Sequence, residues 1–350
     1  MLCKEDQPDY QKVSNESASH RIGKEFVVNW LSSKGISSQT EKWIPAIQRR
    51  ADVYFQFQGK EYVIEIQLSF INSSEFRKRY EDYLSIDIVP IWVGMDQTDC
   101  SRSNQKMTLL DELLIQMQPV PHACYIDAEK GTWLFRHSYF YLQNRTLSAC
   151  DYVADDELSI DAFLDKSVTE RFTVCFSESF LRRWHRQTKH KRLRRTLSLN
   201  RGERVVLRLL QEYGLNLNYF PAVCCVPLQQ QYIFKTPPEI WQTWLLLAVI
   251  HQSVYDDRIA ITYLCDEVSK AVREQIIQIR SNFMEDRGRI RPLVIEFVSW
   301  LDELNVVNQV YPGIYIFKNR VTVKKNLETL MQDDELISKR YLNYLATRKK

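Results

Sequence analysis

Apolar positions along the chain fall into helical and strand periods, in an order that predicts an α/β layer followed by a mainly helical region. Ile22, Phe26 and Trp30, with Val27 and Leu31, recur at the spacing of an amphipathic helix. Ser14 or Asn15 can cap its start, and Gly35 suits the left-handed residue that closes it. Glu16, His20 and Lys24 recur every four residues and line another face of the same helix. Extended segments follow at about 40–47, 51–57 and 61–68, the last two forming a hairpin around Gln58-Gly59. A helix at 73–84 and a buried strand at 86–93 complete the layer. Further on, helices are predicted at 241–253, 261–277 and 292–304, and a hairpin joins 305–310 to 314–317 around Pro312-Gly313. Helices ending in a hairpin are the pattern of a winged helix, which other small helical domains share.

The first hairpin concentrates the chemistry. With Gln58 and Gly59 as its two central residues, Phe57 faces Lys60, Val53 meets Ile64 and Phe55 meets Tyr62. On the other face Tyr54 meets Val63, Asp52 lies opposite Glu65, and Gln67 shares the face of Glu65. Carboxylates so opposed stand roughly 4.5–5.5 Å apart at Cβ and repel. A fold tolerates that if a cation sits between them or one acid takes up a proton, and hard oxygen donors suit Mg²⁺ or Mn²⁺. An exposed acid at the sheet edge, with the register off by one, accounts for the same spacing.

Composition narrows the class. At 350 residues, 45% hydrophobic, the chain has material for two domains with their own cores. Its 47 Lys+Arg against 44 Asp+Glu leave +3, so nucleic-acid binding has to come from a local patch. Few Gly and Pro (9 and 11) beside 12% aromatics exclude long disordered stretches. The apolar run 245–250 is too short to span a bilayer, and residues 1–6 lack the core of a signal peptide, so a cytoplasmic protein without membrane insertion is expected. Eight scattered cysteines without a C-x-x-C pair read as reduced thiols, with Cys224 and Cys225 buried. An acidic stretch at 151–157 marks a linker. The local basic patch lies at 181–204: Arg182, Arg183, Arg186, Lys189, Lys191, Arg192, Arg194, Arg195, Arg201 and Arg204, with Glu203 as its single acid. A charge run is ordinarily a solvated helix face, but this one is too one-sided to be neutralised locally and predicts nucleic-acid contact.

Arg50-Ala51-Asp52-Val53, followed by Ile64-Glu65-Ile66-Gln67-Leu68-Ser69, resembles the nuclease domain of the CoiA competence protein family, a branch of the PD-(D/E)XK nucleases. Glu16-Ser17, His20 and Lys24 match its E-S-x-x-H-x-x-x-K helix, followed by Trp30-Leu31 and Gly35. Ser69, Ile71, Glu75, Arg79 and Tyr83 match the next helix, and Ile91-Trp92-Val93 the closing strand. The likeness covers about residues 14–95, with a weaker echo at Pro221, Pro227 and Trp241-Gln242. It implies a restriction-endonuclease-like mixed sheet flanked by helices at 14–148, a linker at 149–160, and a mainly helical, winged-helix-like domain at 161–350. Two departures stand out. Only a tail of residues 1–13 precedes the first helix, so the family's Cys-containing opening segment is expected to be absent or truncated. Gln67 also stands where many relatives of the superfamily have Lys, although E-x-Q is usual within the CoiA branch.

The resemblance implies metal-dependent hydrolysis of DNA during competence and recombination. Asp52, Glu65 and the Ile66 carbonyl would hold Mg²⁺ or Mn²⁺, while Gln67 would orient water or a phosphate. Glu16 would complete the site through a water, and His20 or Lys24 would move a proton or contact phosphate. Arg50, Arg79 and Tyr83 would contact the DNA backbone, unless Arg79 is spent on Glu75 one turn away. DNA, single-stranded above all, and recombination proteins are the implied partners. The competing reading is a non-catalytic DNA-binding module on a nuclease scaffold, with a restriction or repair endonuclease as a third.

Overall fold

The first helix, α1 (Ala18–Ser33), begins where the Ser17 hydroxyl accepts the His20 N–H, and ends before Gly35 at φ 73°. This is a computed structural model, and it describes residues 17–69, 71–96, 105–115, 120–127, 129–143, 146–154, 157–174, 178–194, 198–280 and 290–347. Ser14 and Asn15, the expected caps, lie outside the described residues, and Ser17 does their work. Strands β1 (Ser38–Ile44), β2 (Arg49–Phe57) and β3 (Lys60–Gln67) follow. Gln58 and Gly59 both have positive φ (49° and 76°), the geometry of a two-residue hairpin turn. The expected register holds from Phe57↔Lys60 to Val53↔Ile64. Then come α2 (Ser73–Leu84), capped by Asn72, and β4 (Ile88–Asp96).

After β4 the chain contributes β5 (Gln105–Lys106) and α3 (Leu109–Leu114), then β6 (His122–Asp127), β7 (Thr132–Gln143), β8 (Thr146–Ala154) and α4 (Ile160–Leu164). Two compact units interleave along this stretch: residues 1–97, 123–135 and 153–168 form one, and the remainder the other. In the first unit the sheet order is β1-β2-β3-β4-β6-β7, antiparallel from β1 to β3 and parallel from β3 through β4 to β6. The fold is thus the expected mixed sheet flanked by helices.

Helices cover both faces of that sheet. Val27, Trp30 and Leu31 of α1 are buried on one face with Val53, Phe55 and Ile64. Trp30 meets Trp133 and Phe163 edge-on, each 5.1 Å between ring centres. On the other face Tyr83 of α2 packs with Ile44, Ala51, Tyr54, Val63 and Ile88. Gly23 lets α1 lie close to the strands: a Cβ there would stand 2.8 Å from Met95 Sδ and 3.2 Å from Ile66 Cγ2. That close approach brings the start of α1, with His20, to the end of β3.

In the second unit the strand order is β7-β8-β5, with β5 antiparallel to β8. Its helices are α5 (Glu178–Leu193), α6 (Arg201–Gln211) and α7 (Pro238–Trp244), the last continuing through a π turn at Leu245–Val249. Strand β9 (Arg258–Ala260), α8 (Ile261–Arg273), α9 (Ile290–Glu303), β10 (Val307–Tyr311) and β11 (Ile314–Phe317) follow, before the final helix α10 (Leu327–Thr347). The small sheet runs β10-β11-β9, so α7 to β11 have the order and pairing of a winged helix. Its third helix, α9, is buried along most of its length. Ile290, Leu293, Val294, Phe297, Val298, Ser299, Trp300 and Leu301 of α9 are all buried, so this helix serves mainly as core. Cys224 and Cys225 are buried free thiols, as expected. Among the described residues no helix is long and apolar enough to cross a membrane.

Candidate active site

The strand ladder stops where the site begins. Asp52 does not form the expected rung with Glu65; its Oδ2 accepts the Ile66 N–H at 2.8 Å, and His20 Nε2 lies 3.1 Å from the same oxygen. Alternation along β2 also breaks at Asp52. Arg49 reaches Asp82 and Glu75 on α2, and Ala51 packs with Tyr54 in the cluster under α2, so odd and even residues share a face across Asp52. The neighbouring strand kinks at the same level. β1 pairs with β2 in one register on both sides of Glu41, the position facing Asp52, while Glu41 takes a left-handed φ of 54° and makes no rung. A regular rung would oppose two carboxylates across the ladder. The kink instead gives Asp52 a main-chain donor.

Glu65 is held from the other side. It is 4% exposed; Tyr83 donates to its Oε1 at 2.5 Å, and Arg79 Nη1 lies 3.8 Å from its Oε2. Burial, and then the charge of Asp52, push its pKa up to about 7, against the pull of Tyr83 and Arg79. Burial and the charge of Glu65 push the Tyr83 phenol up as well, so it stays a neutral donor. Arg49 bridges Asp82 (2.8 Å) and Glu75 (3.2 Å), which pins α2 over β2, and Glu75 also binds Arg79 at 3.2 Å. The two carboxylates therefore lie close enough for one to perturb the other, although they are not ladder partners.

The remaining expected residues divide. The Ile66 amide belongs to the site as the donor to Asp52. Lys24, 5% exposed, donates to Glu41, which also accepts from Arg50 at 3.5 Å. Gln67 turns its amide to the Ser69 carbonyl at 2.8 Å. Glu16 lies outside the described residues. Tyr83 is a correction: at 1% exposed and bonded to Glu65 it walls the site and offers no surface to a phosphate. Arg79 makes the Glu75 contact weighed against phosphate binding and reaches Glu65 too. Glu41 was missed. Its signal lay in the β1–β2 register, which puts it opposite Asp52, and no local motif marks that pairing.

Two oxygen-donor side chains, one of them buried and short of positive charge, have the chemistry of a site for a hard divalent cation. Among the described residues no cluster of three or more His, Cys, Asp or Glu is gathered for a metal. Mg²⁺ needs no such cage, since it commonly takes one or two carboxylates and fills its other positions with water and substrate phosphate. The donor set fits.

The basic segment is only partly a surface. Arg192 is fully buried: it forks onto Asp334 at 2.8 and 3.0 Å and donates to the carbonyls of Asn218 and Phe220. Lys191 binds Glu239 at 2.6 Å, and Arg183 is half-buried. These hold α5 in its unit, which corrects the expectation that Arg192 and Lys191 face nucleic acid. Arg182, Arg186, Lys189 and Arg194 are exposed, Arg182 beside Glu178 at 3.4 Å. Arg195 lies outside the described residues. A second exposed stripe, Arg201, Arg204 and Arg208, runs along α6, where Glu203 is occupied in the Asn200 capping box.

Comparison with known proteins places the chain in a family. Residues 16–168 match the family model of the competence protein CoiA nuclease-like domain, and residues 177–346 match that of the CoiA C-terminal domain. The Competence protein CoiA of Bacillus subtilis (strain 168) is 23% identical over 334 residues, covering 88% of this chain and 84% of that protein. No solved structure matches the chain.

Proposed function

The chain belongs to the CoiA competence protein family, and from that premise we propose that it is a metal-dependent DNA nuclease acting on DNA in competence and homologous recombination. The observation that carries the reading is the meeting of Asp52 and Glu65 at the kinked end of the β2–β3 hairpin, with Glu65 buried and its pKa raised. Asp52 and Glu65 would hold Mg²⁺ or Mn²⁺, with the Ile66 carbonyl as a further oxygen donor. When bound, such an ion supplies Lewis acidity at the phosphoryl oxygens and lowers the pKa of water. The chain's own groups do the rest. Ile66 N–H and His20 orient the Asp52 carboxylate, and Tyr83 and Arg79 orient that of Glu65. His20, against Asp52, would exchange a proton with solvent or the leaving oxygen. Lys24, buried and paired with Glu41, would steady the kinked edge strand beside Asp52. The exposed arginines of α5 and α6 give phosphates a sequence-independent hold.

The test is cleavage of single- and double-stranded DNA with Mg²⁺ or Mn²⁺. Asp52→Ala and Glu65→Ala should abolish it with folding intact, and wild-type cleavage that survives full chelation refutes the mechanism. One observation favours a second reading, a non-catalytic DNA-binding recombination partner: Gln67, in place of the superfamily lysine, is bonded to Ser69. That reading expects salt-sensitive DNA binding, unchanged in Asp52→Ala, and no cleavage with any divalent ion.

A further inference from the structure

We infer that Trp43 and Arg50 form a nucleotide subsite beside the Asp52–Glu65 site, where one base of a single strand stacks on the indole and its phosphate meets the guanidinium. The inference rests on DNA being the substrate of that site, as proposed above. Trp43 lies on β1, the edge strand of its sheet, and is 52% exposed. Its cross-strand partner is Arg50, whose side chain is also 52% exposed. Ladder partners share a face, so the two side chains leave the sheet from neighbouring positions, within reach of one nucleotide.

The pair is tied to the site. Arg50 reaches Glu41, Glu41 holds Lys24, and Glu41 faces Asp52 in the β1–β2 register. Arg50 and Asp52 are two residues apart, roughly 7 Å along a strand, so a nucleotide on Trp43 neighbours one whose phosphate lies at the carboxylates.

A nucleotide needs a π-face for its base and a charged fork for its phosphate, and this rung offers both. A second protein strand is the other occupant an edge invites. Here the edge is guarded against it: Glu41 kinks the ladder with its left-handed φ, and Lys42 charges the strand, its ammonium 3.1 Å from the Tyr54 ring centre. Stacking on an indole requires an unstacked base, which selects a single strand over a duplex.

The test measures binding of a labelled oligothymidylate to the full chain in EDTA, by fluorescence anisotropy across a salt series. Trp43→Ala should weaken binding about 5- to 150-fold, the range that ~1–3 kcal/mol of base stacking converts to, while Trp43→Phe keeps most of it and duplex affinity is unchanged. Arg50→Gln should lower the salt slope by about 0.7. Matching circular dichroism and melting of the variants confirm that they fold. Wild-type affinity in Trp43→Ala overturns the subsite, as does failure of the wild type to bind the oligomer. A changed oligomeric state with unchanged DNA affinity also overturns it and makes this edge a protein interface. Cleavage by Trp43→Ala with undiminished binding removes the subsite and leaves the nuclease reading standing. Binding lost in Trp43→Ala, with no cleavage by the wild type, supports the subsite and removes the nuclease reading.

Discussion

Replacing Glu65 with Gln tests the site without any assay of DNA. Glu65 is buried, and its pKa stands at about 7 against an ordinary 4.5, because burial first and the charge of Asp52 second disfavour its ionised form. Between those two values the folded protein holds a proton that the unfolded chain has released, so stability falls as pH rises through this window. Above it the loss is complete: about 2.5 pKa units at 1.36 kcal/mol each give roughly 3 kcal/mol. Gln cannot ionise, keeps the shape, and its amide oxygen can still accept from Tyr83. At pH 8.5 in EDTA, Glu65→Gln should therefore be more stable than wild type by up to about 3 kcal/mol, an advantage that vanishes near pH 4.5. For a domain of 150–250 residues that is about 6–12 °C in melting temperature, and more for a smaller unit such as this one. Differential scanning calorimetry from pH 4.5 to 8.5 reads it directly. Mg²⁺ or Mn²⁺ should then raise the melting temperature of wild type at high pH and leave Glu65→Gln unmoved. A variant equally or less stable at pH 8.5 would mean that Glu65 is already fully compensated by Arg79 and Tyr83, and the argument for an uncompensated cation site would fail.

Two further predictions separate scaffold from surface in the C-terminal unit. Arg192→Ala leaves Asp334 buried without its partner and should cost about 3–5 kcal/mol of stability; neutralising Arg201, Arg204 and Arg208 together should leave melting unchanged and flatten the salt dependence of DNA binding. Equal losses of stability in both sets would refute the distinction. Gly202→Ala would set a Cβ 2.3 Å from the Ile276 carbonyl oxygen, a main-chain atom that cannot swing aside, and should destabilise by about 1–3 kcal/mol in urea unfolding. Unchanged stability there would show that α6 packs less tightly on Ile276.

Local signals carried the reading of the fold. Helix α2 has the expected bounds because Asn72 caps a run with one apolar face, and the hairpin register follows from a two-residue turn at Gln58-Gly59, where both residues take positive φ. The winged-helix order was legible too, because each element carries its own period, but the burial of α9 was not: that depends on what packs around it. The same boundary runs through the site. Asp52 and Glu65 were readable as a pair from strand register, whereas the kink between them depends on Glu41 in a third strand and on an N–H that Asp52 captures. A basic residue's role is harder still to read, because it is set by partners distant in sequence. Arg192 and Arg194 look alike in the chain; Asp334, 142 positions on, buries one, and the other stays in solvent. Charge density therefore located the right helix but could not say which side chains remain free for phosphate. Tyr83 shows the converse: a phenol one turn from Arg79 reads as a surface donor until the depth of β3 beneath it turns it into the group that orients Glu65.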